Sequence, residues 1–540
     1  MTETYDFIVV GSGPAGATLA SRLAGTAKAP KVLLLEAGGP KDEAYSGWLA
    51  DRYTSFVAHP NMNWQYKTVP QKHLNDRVID YSRGRALGGT STLNFAAYTT
   101  GPKDDYDYWA ELVGDETFGW DNAVKRRKNI ESYVFEAKDG YSRYYNPSKA
   151  LHGSTGPLHV GIPDEWETGL THLIDAAEQH GLGSNVDLNS GVPLGLAVCP
   201  STATKNFRHT AADAYLRDVP DNLTIAINTP VEKVLFEGEK AVGVLAGGQE
   251  YFASKEVVLS AGAIDSPKLL MLSGIGNKEE LGNLGIPSLV DLPGVGENLQ
   301  DHFMFVMDFR QTDGLNGRAE FLSNPEAVEQ ARKQFAKDGT GPLAVTFNSI
   351  GLGYFKNDDL FETEEFKALP IELQDHIRKP TVPMWEICTL VPIPNPMANP
   401  KHTYLTLLGF PQNPQSKGTI KLANAIASVR KVLEFAESPA VKKDIVEVLS
   451  APASKSDEDC LAFARERSGT TWHPSCTVKM GKKTDPEACV DNNFKVFGTE
   501  KLRVADLSVL PFLPQCHPQS IAYLIGETAA EKLAAEYALD

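Results

Sequence analysis

The 540-residue sequence has few cysteines, and none of the six forms a C-x-x-C pair with another. This scarcity excludes a disulfide scaffold, and the spacing argues against a zinc ribbon or an iron–sulfur cluster. The twelve histidines show neither H-x-x-x-H nor H-E-x-x-H spacing. We therefore predict no metal site.

Long apolar runs are also absent, and basic residues are in the minority. Hydrophobic residues make up 42% of the chain and charged residues 22%, which is ordinary globular usage with no segment suited to span a membrane. Lys and Arg total 52 against 69 Asp and Glu, so the net charge of −17 repels polyanions. We expect neither a membrane nor a nucleic acid as partner, and the length predicts two lobes.

The first residues, MTETYD, carry two acidic side chains and no basic segment before the apolar residues 7–10. This pattern is not typical of a secretory signal, and the final ALD is not a peroxisomal address. We expect a cytoplasmic protein. The glycosylation sequon at Asn222 precedes an apolar alternation and is interpreted as the start of a strand.

Residues 5–23 predict a strand, a tight turn and a helix. Residues 5–10 are β-branched and aromatic, residues 11–16 read GSGPAG, and small and apolar residues follow at helical spacing. A second apolar run, residues 31–35, ends on Glu36. This β-α-β pattern, with an acid about twenty residues past the last glycine, is typical of a dinucleotide site.

Each residue of this motif has a physical role. Gly11 permits the turn, Gly13 lets a pyrophosphate approach the backbone, and Gly16 packs the helix against the strand. Glu36 accepts hydrogen bonds from a ribose hydroxyl and disfavours the 2′-phosphate of NADP. The motif alone leaves both NAD and FAD open.

Three further segments carry motifs. Residues 82–94 are rich in glycine and hydroxyl side chains, which lets the backbone approach a flat or anionic ligand; a surface loop is the alternative. Residues 257–276 predict a strand, a turn and a helix closed by glycines. Near the carboxyl end, His473 and His517 are each followed by a proline.

In these four segments the sequence resembles the glucose–methanol–choline (GMC) family of flavoprotein oxidoreductases. The resemblance runs along essentially the whole chain and is weakest over residues 311–455. It implies FAD as the cofactor and oxidation of an alcohol by hydride transfer to the flavin. It also implies an α/β fold in two domains. These are a Rossmann-like FAD-binding domain (1–155, 195–305 and 460–540) and an α+β substrate-binding domain with an antiparallel sheet flanked by helices (156–194 and 306–459).

The resemblance also assigns residues to the cofactor. Leu93 stands where some relatives carry a histidine bonded covalently to the flavin, so it implies non-covalent FAD. Asn94 matches a position near the reactive edge of the ring. The implied FAD-binding residues are Gly11, Gly13, Gly16, Glu36, Arg85, Gly88, Gly89, Thr90, Ser91, Leu93, Asn94, Val231, Asp506 and Gln519.

Two histidines are the candidate catalytic residues. Oxidation of an alcohol requires a base beside its hydroxyl group, and imidazole suits that task near neutral pH. By resemblance, His473 and His517 match the two catalytic positions of the family, and we interpret His473 as the principal base and His517 as the residue that positions the substrate oxygen. The neighbouring thiols of Cys476 and Cys516 are interpreted as packing residues.

The substrate and the electron acceptor stay open at this point. A pocket for an aryl or allylic primary alcohol is one interpretation of the aromatic residues, and ordinary core packing is the other; these residues are Trp64, Tyr66, Phe347, Trp385 and Trp472. The acceptor is either O2 or a quinone-type compound. A redox-neutral lyase or cyclase, or a flavin-binding protein without activity, is the alternative function. In and just after the weakly matching region, residues 440–449 and 457–467 predict helices and residues 380–410 predict strands.

Overall fold

The computed structural model describes residues 4–41, 60–138, 140–204, 207–346, 350–389, 399, 401–415, 417–418 and 423–540. Its strands are β1 Thr4–Val10, β2 Val32–Leu35, β3 Glu131–Tyr133, β4 Leu158–Val160, β5 Gly195–Val198, β6 Ala203–Thr204, β7 Phe207–Arg208, β8 Leu223–Ala226, β9 Val231–Glu237, β10 Lys240–Ala246, β11 Gln249–Leu259, β12 Ile275–Gly276, β13 Val290–Asp291, β14 Phe303–Gln311, β15 Gly351–Phe355, β16 Trp385–Thr389, β17 Thr403–Pro411, β18 Ile445–Ser450, β19 Gly469–Thr470 and β20 Leu502–Val504. Its α-helices are α1 Pro14–Ala24, α2 Lys103–Val113, α3 Trp120–Ile130, α4 Thr168–Gln179, α5 Ala211–Tyr215, α6 Gly262–Leu272, α7 Lys278–Asn283, α8 Arg318–Leu322, α9 Pro325–Asp338, α10 Pro342–Thr346, α11 Glu364–Lys367, α12 Ile371–Arg378, α13 Ala423–Ala436, α14 Pro439–Lys442, α15 Asp457–Arg467 and α16 Gln519–Glu536. Short 3-10 helices lie at Pro60–Met62, Lys72–Leu74, Gly89–Thr92, Glu116–Phe118, Asp358–Glu362 and Leu507–Val509.

The first sheet has seven strands in the order β8-β2-β1-β11-β10-β9, with β20 beside β11. Strands β8, β2, β1, β11 and β20 are parallel, whereas β9 and β10 pair in antiparallel fashion. Val10 at the end of β1 pairs in register with Leu35 of β2 and with Leu259 of β11. Strand β2 and the carboxyl-terminal parts of β1 and β11 are apolar and buried, as expected where both faces of a parallel sheet are covered. Their carboxyl ends share one edge, where open α/β sheets bind ligands.

Helices α1 and α16 pack closely together on this sheet. A Cβ atom on Gly526 of α16 would lie 2.3 Å from the carbonyl oxygen of Ala15 in α1, so only glycine permits this approach. Helix α16 is buried around most of its circumference, as expected for a helix in the interior of a large protein.

The second sheet is antiparallel, with the order β15-β16-β17-β14-β18 and β19 beside β14. Helix α13 covers one face, where Val429 and Val432 are fully buried. Phe303 at the start of β14 pairs with Thr470 of β19, three residues before His473. This pairing places the candidate catalytic segment at the start of the second sheet, and the predicted mixed α/β fold with an antiparallel second sheet is confirmed.

Two of the three local predictions over residues 380–467 are confirmed. Helix α15 has the predicted bounds, with Ser456 capping its first turn. Strands β16 and β17 fall within residues 380–410, of which 390–398 and 400 lie outside the described residues. The sequon is also placed as expected, since Asn222 directly precedes β8 and its amide donates to two backbone carbonyls.

The predicted helix over residues 440–449 is wrong. The structure has the short helix α14, which ends at Lys442, and then the strand β18. Ile445, Val446 and Val448 are β-branched, and β14 offers a free edge for pairing, so strand formation prevails over the helical spacing of charges.

Both sheets draw on separate parts of the sequence. The first sheet uses strands between residues 4 and 35, 223 and 259, and 502 and 504, and the second uses strands between 303 and 470. The domain boundaries given above stay a prediction. Among the helices of the described ranges, none is long and apolar enough to cross a membrane.

Candidate active site

A cavity opens at the carboxyl ends of β1, β2 and β11, and it collects most of the predicted site residues. Its walls include Gly11, Gly13, Glu36, Gly89, Thr90, Ser91, Leu93, Asn94, Val231, His473, Asp506, His517 and Gln519. Their contacts with a cofactor and a substrate stay predictions. The structure does not bring Gly16, Arg85 or Gly88 to the cavity wall.

These three residues lie behind the wall and support it. Gly16 lies so close to the turn that a Cβ atom would be 2.0 Å from the carbonyl oxygen of Gly11. The backbone N–H of Gly88 donates to Ser12 Oγ over 3.1 Å. The Arg85 guanidinium lies over the Trp64 ring, 4.8 Å from its centroid.

The glycine turn itself leaves a cradle for an anionic group. Gly11 has φ +98°, and a Cβ atom there would lie 2.5 Å from Ser260 O. Nothing lies within 4 Å of a Cβ atom on Gly13, which lines the cavity, whereas one on Gly89 would lie 2.6 Å from the Gly13 Cα. Helix α1 begins here, and its N-cap residue Gly13 makes no side-chain capping hydrogen bond, so the cradle suits a pyrophosphate.

Glu36 closes the same end of the cavity. One carboxylate oxygen accepts from the N–H and the hydroxyl of Ser12, at 3.0 and 2.7 Å, and the other accepts from Gly38 N at 2.8 Å. Burial raises the pKa of Glu36, while the Ser12 and Gly38 hydrogen bonds and the charge of Arg85 oppose the rise. The carboxylate therefore organises the turn as well as facing the cavity.

The loop over residues 88–94 is held by its own hydroxyl groups. Ser91 Oγ donates to Gly88 O over 2.6 Å and accepts from Ala211 N, and Thr90 Oγ1 accepts from Gly84 N over 3.1 Å. Leu93 is buried and presents an aliphatic side chain to the cavity. Position 93, where some relatives carry a histidine bonded to the flavin, thus has no nucleophilic side chain.

Both the oxygen and the nitrogen of the Asn94 side-chain amide form hydrogen bonds. Its Oδ1 accepts from Arg208 Nη1 at 2.8 Å and from Ala96 N at 3.0 Å, and its Nδ2 donates to Gln519 Oε1. The Gln519 amide in turn donates to Thr202 Oγ1 over 3.1 Å. The first residue of α16 is thereby tied to the loop.

Asp506 holds the turn after β11. Its carboxylate accepts from Gly262 N at 2.8 Å, Ser266 Oγ at 2.5 Å and Ser508 N at 2.8 Å. Burial raises the pKa of Asp506, and these hydrogen bonds oppose the rise. Val231, the first residue of β9, lies on the wall beside Thr229 and Pro230.

The residues at this end fit FAD. A glycine turn at a helix N-terminus is suited to the pyrophosphate, and Glu36 is within the wall where a ribose hydroxyl requires an acceptor. The cavity continues from there past Leu93 and Asn94 to the two candidate catalytic histidines. One cavity thus reaches from the Glu36 carboxylate to the two histidines, and a dinucleotide bound in it would extend between these two ends.

The backbone just before His473 has an unusual conformation. Trp472 before it has φ +58°, in the left-handed region, which costs energy for a bulky residue. Two contacts hold it there: Arg83 Nη2 donates to Trp472 O over 2.5 Å, and the indole N–H donates to Asp80 Oδ2 over 2.9 Å. The N–H of His473 donates to the half-buried Asp301 carboxylate over 2.9 Å.

Burial is the main influence on the His473 ring. It lowers the pKa of His473 well below the ordinary value, and the charges of His517 and Arg83 lower it further. The Nδ1 atom lies 3.1 Å from Nδ1 of His302. The ring is therefore neutral near pH 7, and Nε2 is the nitrogen left for the cavity.

His517 is paired with a carboxylate from the second sheet. Its ring centroid lies 5.0 Å from that of His473, and its Nε2 lies 2.8 Å from Glu386 Oε1. Glu386 is 2% exposed, and its other oxygen accepts from Gln412 Nε2 at 2.8 Å. Since a carboxylate accepts, the Nε2 of His517 carries a proton and donates it.

Aromatic side chains surround the histidines, but only some of the predicted ones line the cavity. Trp64 and Trp472 do, and the Trp472 ring lies 5.7 Å from that of Phe95. Tyr66 donates to Asp265 instead, and Trp385 is buried in the second sheet. Phe347 lies outside the described residues.

The thiols beside the histidines are buried. Cys476 and Cys516 are both inaccessible to solvent, and burial raises the pKa of each thiol far above its ordinary value. They are packing residues. Within the described ranges, no group of three or more His, Cys, Asp or Glu side chains is arranged to hold a metal ion.

Sequence reasoning missed four residues that build the histidine end, namely Arg83, Asp301, His302 and Glu386. The carboxylate of Glu386 stands between apolar residues in β16, and this isolated charge in a buried strand is the signal that identifies it. Arg83, Asp301 and His302 cannot be found from sequence spacing. Each contacts Trp472 or His473, which lie about 170 or more residues away in the chain.

Comparisons with known proteins cover nearly the whole chain. Two models described as GMC oxidoreductase match residues 5–304 and 409–526. The mitochondrial choline dehydrogenase of Homo sapiens is 33% identical over 575 residues, which cover 99% of this chain and 91% of the relative. An alcohol dehydrogenase (acceptor) of Pseudomonas putida is 32% identical over 550 residues, covering 98% of this chain and 95% of the relative. A formate oxidase variant of Aspergillus oryzae, solved to study FAD modification, is 25% identical with a TM-score of 0.85 and full coverage of both chains.

Proposed function

Because the chain belongs to the GMC oxidoreductase family, as the sequence resemblance predicts, we propose that it oxidises a primary alcohol to the aldehyde. Membership makes it a flavin oxidoreductase that acts on CH–OH donors. The observation that carries the finer proposal is the juxtaposition of two histidine rings, 5.0 Å apart, at one end of a cavity whose other end fits a dinucleotide.

The cofactor is FAD, held without a covalent bond. Gly13 and the start of α1 would bind its pyrophosphate, Glu36 would accept from its ribose, and the loop 88–94 would contact the flavin. When bound, FAD supplies the acceptor for the hydride of the alcohol carbon. Leu93 supports the non-covalent mode, because an aliphatic side chain offers no atom for a bond to the flavin.

His473 takes the proton of the alcohol hydroxyl. Its lowered pKa keeps the ring neutral, so a lone pair is available over the physiological pH range. Its Nδ1 faces His302, so the proton is accepted at Nε2. The hydrogen bond from its backbone N–H to Asp301 and the constrained Trp472 hold the ring in place, which favours transfer over a short distance.

His517 positions the substrate oxygen and stabilises the charge that develops there. Its hydrogen bond to Glu386 fixes one ring nitrogen, so the other remains for the substrate. A buried carboxylate beside the ring stabilises positive charge on it, as the aspartate does for the histidine of a serine protease. The two histidines thus divide the work, one as the base and one as the orienting group.

The substrate we propose is an uncharged aryl or allylic alcohol. Phe95 and Trp472 line the cavity beside the histidines, with ring centroids 5.7 Å apart, and offer apolar contact to such a substrate. Glu386 is already hydrogen-bonded to His517 and Gln412, which disfavours its use for a cationic substrate. The flavin is reoxidised by O2 or a quinone-type acceptor, and a cytoplasmic location stays a prediction.

Anaerobic mixing tests this function. The purified protein is mixed with benzyl alcohol, cinnamyl alcohol, butanol and choline, and the visible flavin absorbance is followed. We expect the aryl and allylic alcohols to bleach it fastest, with aldehyde as the product. A double variant His473→Gln/His517→Gln with FAD bound is the control. The redox-neutral lyase or cyclase gains no support from the comparisons, and it becomes the better account if no alcohol bleaches the protein.

A further inference from the structure

The geometry points to a third histidine in the proton chemistry. We propose that His302 is a positioning residue: it accepts the Nδ1 proton of His473 and so leaves Nε2 of His473 free to act as the base. This inference rests on the proposed function, in which His473 takes the hydroxyl proton.

Hydrogen bonds join the segment that contains His302 to the segment that contains His473. The carbonyl of His302 accepts from the backbone N–H and the hydroxyl of Thr471, at 3.0 and 2.8 Å. The preceding residue, Asp301, accepts from the backbone N–H of His473 at 2.9 Å. Three hydrogen bonds thus set the distance between the two rings.

The ring contact itself requires one shared proton. The two Nδ1 atoms lie 3.1 Å apart, which is a hydrogen-bond distance. Two bare lone pairs, or two N–H groups, would repel each other there. One ring therefore donates and the other accepts, and the choice decides which nitrogen of His473 carries its proton.

Burial keeps His302 available as the acceptor. The side chain is 1% exposed and does not line the cavity, so it lies behind His473. Burial lowers the pKa of His302 to about 3, and the charge of His517 adds to the effect. His302 is therefore neutral and retains a lone pair on Nδ1 when its own proton is on Nε2.

The second nitrogen of His302 adds no hydrogen bond to the described structure. Its Nε2 is buried and has no hydrogen-bond partner among the residues that the structure describes. An unsatisfied buried polar atom is costly, and an apolar side chain would fill this space without that cost. A histidine at this position is best explained by what its Nδ1 does for His473.

The proton count of the proposed step is balanced. Before the step, His473 carries one proton on Nδ1, which it donates to His302. The hydroxyl proton of the substrate moves to Nε2, so His473 becomes a cation with two N–H groups while the hydride leaves the carbon for the flavin. The neutral His302 stabilises that cation through the existing hydrogen bond and gains no proton itself.

Nuclear magnetic resonance of the holoenzyme tests the proton placement directly. Two-bond 15N–1H correlations of a sample labelled with 15N-histidine report which ring nitrogen carries a proton, and the signals are assigned by comparison with His473→Gln and His302→Gln. We expect His473 to be protonated on Nδ1 and bare on Nε2, and His302 to be the reverse. Protonation of His473 on Nε2 with a bare Nδ1 would overturn the proposal.

Two matched variants test the consequence for the reaction. His302→Leu removes the acceptor, and we expect alcohol-dependent bleaching to slow about 10- to 100-fold, by analogy with metal-binding histidines that lose the hydrogen-bond partner orienting them. His302→Asn places an amide oxygen near the Nδ1 position and recovers most of the rate. Flavin content and melting temperature are measured for both, and His302→Leu with bound FAD and a wild-type rate would refute the inference.

The two proposals fail in different ways. If no alcohol bleaches the wild-type protein, the proposed function is wrong, while the proton placement on His473 and His302 is still decided by the spectra. If alcohols bleach the protein but His473 carries its proton on Nε2, the function stands and the role of His302 falls.

Discussion

The contact between His517 and Glu386 allows a sharp prediction for Glu386→Gln. Glutamine keeps the size of the side chain and one oxygen, but it removes the charge from a group that is 2% exposed. Both carboxylate oxygens accept hydrogen bonds of 2.8 Å, from His517 and from Gln412. The substitution therefore changes the charge beside His517 with little change in packing.

The magnitude follows from the kind of hydrogen bond that is lost. A hydrogen bond to a charged group contributes about 1.5–3 kcal/mol and a neutral one about 0.5–1.5 kcal/mol, so the difference is about 1–2 kcal/mol. If the charge acts mainly while the hydroxyl proton is leaving, bleaching slows about 5- to 30-fold, because about 1.4 kcal/mol corresponds to tenfold in rate.

The assay is anaerobic stopped-flow bleaching at saturating alcohol, with the aldehyde quantified afterwards. Gln412→Met is the matched control, since it removes the other hydrogen bond of Glu386 but keeps the charge, and we expect a smaller effect. Flavin content and melting temperature identify any loss of folding. A Glu386→Gln variant that binds FAD and bleaches at the wild-type rate would refute this reasoning.

Four further predictions concern the cofactor and the base. His473→Ala keeps FAD but slows bleaching about 10²- to 10⁴-fold, and His517→Ala slows it less; stopped-flow rates of the two variants decide the order. The pKa of His473 is lowered, so its neutral form is lost only as the pH falls through that lowered value. We therefore expect the bleaching rate to stay nearly constant down to one pH unit below the ordinary histidine pKa of about 6.5. At that pH an unperturbed histidine would have lost about nine-tenths of its neutral form. Acid precipitation releases all FAD into the supernatant, because Leu93 offers no covalent link, and flavin in the washed pellet would contradict this. Glu36→Ala lowers FAD affinity and lowers the melting temperature in an FAD-dependent way, since a ligand bound only by the native state stabilises it; equal FAD occupancy and an unchanged melt would remove Glu36 from the ribose role.

The cofactor end of the cavity could be predicted from local sequence. Gly11, Gly13 and Glu36 belong to one β-α-β unit, whose spacing is set by the chain itself. The backbone of a tight turn and the end of a strand need no distant partner to be recognised. For the same reason, helix α15 is predicted with its correct bounds, since its cap and its charged ends are local.

The histidine end could be predicted only in part. His473 and His517 were identified through the resemblance, but the partners of both rings come from other parts of the fold. Glu386 is 131 residues from His517 and His302 is 171 residues from His473. Pairing across such separations depends on the register of β14, β16 and β19, which periodicity does not reveal. The strand β18 was missed for the same reason, because the open edge of β14 selects it.

The central claim is that this chain removes a hydride from an alcohol carbon, and isotope transfer in a single anaerobic turnover tests it most directly. Benzyl alcohol carrying two deuterium atoms on the reacting carbon is mixed with the FAD-loaded protein, and the flavin absorbance and the product mass are recorded together. We predict one benzaldehyde for each flavin bleached, with one deuterium left on its carbonyl carbon, and slower bleaching than with the undeuterated alcohol. Conversion of the alcohol without loss of flavin absorbance, or a product that retains both deuterium atoms, would contradict the account.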